Sequence, residues 1–271
     1  MWANFRVLIL ASILPVLTSS ALSEVPLAAA RQAPALSLVR PAISEGFSGP
    51  ALVEIRGDGQ SKDFNALRVA IAVSLDATYR EFEKRLGRMP SIAASIRLAD
   101  NRTFSRLTGA PGWSAAVYFR KEIVIRLDSD TRRNPSSLHH AVRHEYTHAI
   151  ISALSGGNCP GWLDEGLAQW AERAGEDAGA PGSKRHLMKY LPIRLDLLQG
   201  GFTRMSSEMV APSYAHSLFA TRQVIASYGF QRIRVFLDKL KKGQSQSSAF
   251  EEAFSISEAA FERQLNLTLR R

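Results

Sequence analysis

Cysteine is almost missing from this chain: Cys159 is the one thiol in 271 residues. That excludes an intramolecular disulfide framework and any cysteine-rich metal site. Long apolar runs are missing too. The longest, residues 7–17, is too short for a comfortable membrane span, so a multi-span membrane protein is excluded. Acidic residues are the minority, with Asp+Glu 25 against Lys+Arg 34, a net charge of +9. Such a balance favours attraction to polyanionic surfaces and leaves the fold open. The basic residues are scattered as Arg132-Arg133, Lys184-Arg185, Lys239-Leu240-Lys241-Lys242 and Arg270-Arg271. No aromatic interleaving accompanies them, so the expectation is solvated faces, no nucleic-acid partner, and at most weak association with an anionic envelope surface. Apolar residues at 45% place the chain among ordinary globular proteins and exclude a disordered one.

What is present begins with a targeting pattern. Arg6 precedes the apolar run, and Ala21-Leu22-Ser23 fits a small-x-small cleavage site. Residues 1–23 therefore read as a signal peptide, and the protein as exported, periplasmic or secreted. Residues 24–63 are rich in Ala, Pro, Ser and Gly and read as a linker or N-terminal arm, with one short strand at 51–55. Residues 64–271 read as one domain, its helical C-terminal part starting near 200. Apolar spacing predicts a helix over 64–86, a strand at 95–98, a short helix at 104–107, and strands at 115–119 and 122–127. Helices follow at 136–154, 162–174, 213–228, 230–242 and 257–268. Strands early and helices late make the fold class α+β, a small N-terminal mixed sheet before a mostly helical half.

The chemistry lies in two motifs. The first is His144-Glu145-Tyr146-Thr147-His148. On a helix, positions i and i+4 lie about 40° apart in rotation and ~6 Å apart along the axis, so both imidazoles can bind one ion. Glu145, about 100° round, flanks that ion without ligating it, where a general base belongs. Leu138, Val142, Ala149, Ile150 and Ala153 form the packing stripe, and Arg143 and Thr147 are expected to face away. The second motif is Trp162-Leu163-Asp164-Glu165-Gly166-Leu167-Ala168, opening a new helix after Gly156-Gly157 and a short loop. Leu163, Leu167, Trp170 and Ala171 form its expected buried stripe. An α-hairpin brings this helix back against the first, so Glu165 can supply a third, oxygen ligand. Three N/O ligands leave a fourth tetrahedral place for water, which suits one Zn2+ ion. His139, His140 and His186 lack ligand spacing and are expected on helix surfaces.

Together, His144-Glu145-x-x-His148, sixteen intervening residues and Glu165 resemble the gluzincin zinc metallopeptidases, most nearly the small peptidase MA-like domains. The resemblance spans about 65–230 and includes Leu107-Thr108-Gly109-Ala110-Pro111-Gly112-Trp113. It implies a zincin-like fold with the active-site helix carrying the first motif. The implied activity is hydrolysis of peptide or protein substrates through a metal-activated water, with His144, His148 and Glu165 as ligands and Glu145 as base. It also implies that 122–127 is the strand along which an extended peptide lies. Glu172, seven residues past Glu165, matches a carboxylate frequent in gluzincin aminopeptidases that would orient a ligand histidine. The thermolysin-type pattern has Asp where this chain has Gln169. Asp164, about 100° round from Glu165, reads as a solvated surface residue. Tyr214 and His216, in Ser213-Tyr214-Ala215-His216-Ser217, are the candidates to stabilise the oxyanion, and the family's Tyr-Ala-x-Ser segment favours Tyr214. No amine-capturing motif is present, which leans towards an endopeptidase. The competing reading is a non-catalytic zinc-binding or scaffold protein of the cell envelope.

Overall fold

The computed structural model describes residues 53–57, 62–110, 114–127, 135–172, 193–200, 202 and 207–270. Residues 1–23, expected to be a signal peptide, most of the expected arm, Pro111 to Trp113, and His186 lie outside the described residues. Four strands form one mixed sheet: β1 (Val53–Gly57), β2 (Ala94–Ala99), β3 (Ala116–Phe119) and β4 (Glu122–Arg126). Seven α-helices are described: α1 (Lys62–Leu86), α2 (Asn101–Thr108), α3 (Pro135–Ser155), α4 (Gly161–Glu172), α5 (Ser207–Lys241), α6 (Gln246–Phe254) and α7 (Glu258–Arg270). A single 3-10 turn covers Leu195–Leu198. The small sheet followed by a mostly helical half is the expected α+β architecture. The helix pair anticipated around 229 is α5, broken at Gly229, whose φ of 76° and ψ of 167° leave the helical region. The α6 helix was not expected from spacing.

The strand order is β1-β2-β4-β3. β1, β2 and β4 run parallel, and β3 closes one edge antiparallel to β4. Two expectations change here. The sheet reaches back to Val53, with Ile55 buried in the core, so part of the stretch read as an arm is sheet. The 122–127 strand is interior: Ile123, Val124 and Ile125 are buried, and β2 and β4 exchange hydrogen bonds along it. The edges of the sheet are β1 and β3, and β3 is the edge that packs beside α3. A strand buried on both faces reads as an unbroken apolar run, as the central Ile123-Val124-Ile125 of β4 does.

One face of the sheet carries the main core, built from α1, α3, α4 and α5. On α1 the residues Ile71, Leu75, Tyr79, Phe82 and Leu86 recur at steps of three and four and are all buried. The other face carries a smaller cluster of Ala99, Phe104, Ala110, Val117 and Val124 under α2. Asp100 caps α2 by accepting from the Thr103 amide at 2.7 Å. The β3–β4 hairpin turns through Arg120 and Lys121, with φ of 50° and 65°. Left-handed backbone costs a side-chain-bearing residue about 1–2 kcal/mol. This tip therefore holds its shape against local preference.

The chain reverses after α3 at Gly156 and Gly157, with φ of 66° and 79°. The Gly157 amide donates to Ser152 O at 2.9 Å, closing the helix end. The following helix, α4, packs back along α3 and lies between it and α5.

Candidate metal centre

The α3 helix sits in the middle of the molecule. Residues Ala141 to Ile150 are all buried, so Arg143 and Thr147 do not face solvent as expected. The Arg143 Nε atom donates to Ala171 O at 2.7 Å, which ties α3 to the end of α4. Thr147 Oγ1 donates to Arg143 O at 2.7 Å. Tyr146, between the two histidines, points into the core and donates to Ile92 O at 2.9 Å. Neighbours on every side, rather than one apolar stripe, hold this helix.

His144 and His148 face one another edge-on, ring centroids 5.0 Å apart. Glu165 completes the group. Its Oε2 lies 3.6 Å from His144 Nε2 and 3.8 Å from His148 Nε2. All three residues are buried, and one ligand atom from each falls within 4.8 Å of the others. His144 Nε2 and Glu165 Oε2 have no hydrogen-bond partner among the described residues. Buried polar atoms without partners are costly, and these two point at a common centre. A tetrahedral zinc with bonds of ~2.0–2.1 Å separates its ligand atoms by roughly 3.4 Å. The two spacings to Glu165 Oε2, 3.6 and 3.8 Å, lie close to that value, so the residues fit such an ion.

Carboxylates flank both histidines from behind. Glu172 Oε2 is 3.3 Å from His144 Nδ1, as the resemblance implied. Asp164 Oδ2 is 3.1 Å from His148 Nδ1, so the expectation that Asp164 is merely solvated is corrected. His148 meets the start of α4 and His144 its end, as two antiparallel helices require. The Glu172 contact selects the tautomer that turns His144 Nε2 towards the centre, while Asp164 lies beside His148 Nδ1 as a charge without hydrogen-bond geometry. Burial opposes charge on both rings, but the carboxylates outweigh it. Glu165 and Glu172 push the His144 pKa up to about 10, and Asp164 with Glu165 push His148 to about 9. The site thus attracts positive charge strongly.

Glu145 is buried beside this group. Its Oε2 accepts the backbone N–H of Tyr118 on β3, and Oε1 has no partner among the described residues. Burial raises its carboxyl pKa, with His144 and His148 pulling the other way. That balance suits a group which must take up a proton. The Tyr118 contact, which spacing did not suggest, fixes the carboxylate against the open sheet edge.

Tyr214 is buried on α5, its ring 5.0 Å from that of Phe202. Burial pushes its phenol well above the usual value, and the nearby Glu165 and Glu145 push it further. Gln169, where the thermolysin-type pattern has Asp, donates to Glu165 O at 3.3 Å and to Tyr214 O at 2.9 Å. It clasps the ligand helix to the Tyr214 helix. His216 is also buried, yet burial alone lowers its pKa to about 4, with no carboxylate contributing. Of the two oxyanion candidates, only Tyr214 feels the acidic group. His139 is half-buried and shares a 2.7 Å hydrogen bond with Ser74 Oγ, and His140 is half-buried too, so neither is a plain surface residue.

Neither ring nitrogen of His216 has a partner among the described residues. The unfolded chain binds its proton near pH 6.5 and the folded chain only near 4. Between those values the unfolded state holds more protons, so this contribution is complete above about 6.5 and fades as pH falls. Denaturant unfolding at pH 7 and 4.5 should show the parent losing about 2 to 3 kcal/mol more than His216→Phe. Equal losses would clear His216 of that role.

A helix bearing two convergent histidines, a carboxylate returned by the next helix and an open-edged sheet alongside define a zincin-like arrangement. The model of the peptidase MA superfamily matches residues 103–269, more than half of the chain, and the chain belongs to that family. Among curated proteins none matches.

Proposed function

We propose that this protein is a zinc-dependent peptidase of the gluzincin type, with His144, His148 and Glu165 holding one Zn2+. Family membership supports a peptidase in general. The observation that carries the finer reading is the pair of buried atoms His144 Nε2 and Glu165 Oε2, 3.6 Å apart and without a hydrogen bond among the described residues, converging beside Glu145. A bound zinc lowers the pKa of a coordinated water and polarises a carbonyl. Glu145 takes a proton and returns it to the leaving amine, its carboxylate steadied by the Tyr118 amide. Tyr214 donates to the developing oxyanion. Glu172 orients the His144 ring, and Asp164 supplies negative charge behind His148. The β3 edge receives the peptide backbone of the substrate. Export through residues 1–23, to a periplasmic or secreted location, is part of the same proposal, and weak association with an anionic envelope fits the net charge of +9. No described helix is long and apolar enough to cross a membrane.

Elemental analysis of the purified protein should find about one zinc per chain, and Glu165→Ala should lose it. The parent should hydrolyse members of a mixed peptide library, and a chelator should stop it. Zinc without hydrolysis would leave the non-catalytic metal-binding reading in its place.

A further inference from the structure

We propose that the tip of the β3–β4 hairpin, Arg120 and Lys121, selects peptides with an acidic side chain two or three residues from the bond that is cut. This rests on the peptidase reading above. The geometry begins with the hydrogen-bond alternation of the hairpin. The Arg126 amide donates to Ala115 O at 2.8 Å, so Ala115 and Arg126 form a bonded pair. Antiparallel pairs alternate, so Val117 with Val124 and Phe119 with Glu122 are bonded as well. The main-chain groups of Ala116 and Tyr118 then point to the open side. Glu145 already occupies the Tyr118 N–H, which places the reacting bond alongside Tyr118. At ~3.3 Å per residue, Arg120 stands about 7 Å further along the same edge. An extended peptide paired with β3 has the same rise, so its second or third residue from the scissile bond passes the tip.

The tip is cationic. Arg97 and Glu122 neutralise one another at 3.0 Å, but neither Arg120 nor Lys121 has a carboxylate partner among the described residues. Both are exposed. The Arg120 guanidinium lies 4.9 Å from the centroid of the Phe119 ring, which holds it in place over β3. A two-residue turn with both φ positive ordinarily takes Asn-Gly. Two long cationic residues in left-handed backbone are a local cost at the mouth of a reactive site, the setting in which strain points to use.

The test walks a single Glu through a neutral peptide that the protein cleaves, from three residues before the scissile bond to three after it. The expected result is a kcat/KM about two- to fivefold higher with Glu at the second or third position on one side, carried by KM and weakened by salt. The Arg120→Asn/Lys121→Gly variant supplies the favoured turn residues, so it keeps the fold. Its acidic-to-neutral ratio should fall to about one. Arg120→Glu/Lys121→Glu should invert the preference towards a Lys-bearing peptide. Binding of labelled acidic and neutral peptides to zinc-loaded Glu145→Gln protein gives a readout free of turnover, with the acidic peptide about two- to fivefold tighter. Equal binding and equal cleavage of the two peptides overturn the tip's role. So does a preference that survives both tip variants. Tip-dependent binding by a wild-type protein that cleaves nothing supports the tip and overturns the peptidase reading instead.

Discussion

Replacing Glu145 with Gln is expected to reduce peptide hydrolysis by about 10^2–10^4-fold while leaving zinc content and thermal midpoint close to the parent's. The exchange is nearly isosteric. The Gln side-chain oxygen can still accept the Tyr118 amide that Glu145 Oε2 accepts now, so the link between α3 and β3 survives. The ligand atoms of His144, His148 and Glu165 are untouched. What disappears is a carboxylate whose pKa burial has raised and which is free to take up a proton and give it back. Elemental analysis and initial rates on the same preparation separate the two roles. Parent-like rates from the zinc-loaded variant would remove Glu145 as the base. His148→Ala should instead lose both metal and turnover, because the ligand set itself is broken.

The contrast between Glu145 and Asp164 shows what a single sequence can and cannot reveal about such a site. His144, Glu145 and His148 were legible because an i, i+4 pair and its neighbour obey helix geometry alone. Glu165 followed from a glycine-terminated helix and a short loop, which force the next helix back. Asp164 was misplaced because its angle from Glu165 was reckoned on an isolated helix. In the antiparallel pair, the start of α4 lies over His148, and a residue rotated away from the ion meets the back of the ring. Arg143 and Thr147 were misplaced for a related reason. Amphipathic reasoning assumes one solvent face, and α3 has none over its central turns. The order of β3 and β4 depends on pairing across the chain, which composition alone does not set, although the unbroken Ile123-Val124-Ile125 run pointed to an interior strand. The α6 helix opens in a serine-rich stretch of weak helix formers. Its Ser245 cap and the buried Ala249, Phe250, Ala253 and Phe254 stripe were nonetheless present to be read.

Gly166→Ala is expected to be among the most damaging single-methyl additions in the protein, although no sequence rule marks Gly166 beyond its place after Glu165. A Cβ there would sit 2.0 Å from Thr221 Oγ1 and 2.5 Å from the Ser217 carbonyl oxygen on α5. The first obstacle is a side chain, but a β-branched one with little rotamer freedom. The second is backbone, so α4 and α5 must move apart along their shared packing surface. Overpacking of this kind costs about 1–3 kcal/mol, and the backbone clash places this case at the upper end. The consequence reaches the chemistry because Glu165 is the preceding residue, and Gln169 ties its carbonyl to that of Tyr214 across the same two helices. Separating them draws Glu165 and Tyr214 apart, and zinc affinity should fall along with stability. Calorimetry and zinc titration of Gly166→Ala measure the two effects. Adding Thr221→Ala should recover only part of each loss, since the Ser217 carbonyl remains in the way. Full recovery in the double variant would assign the whole clash to the hydroxyl and leave the helix spacing out of it.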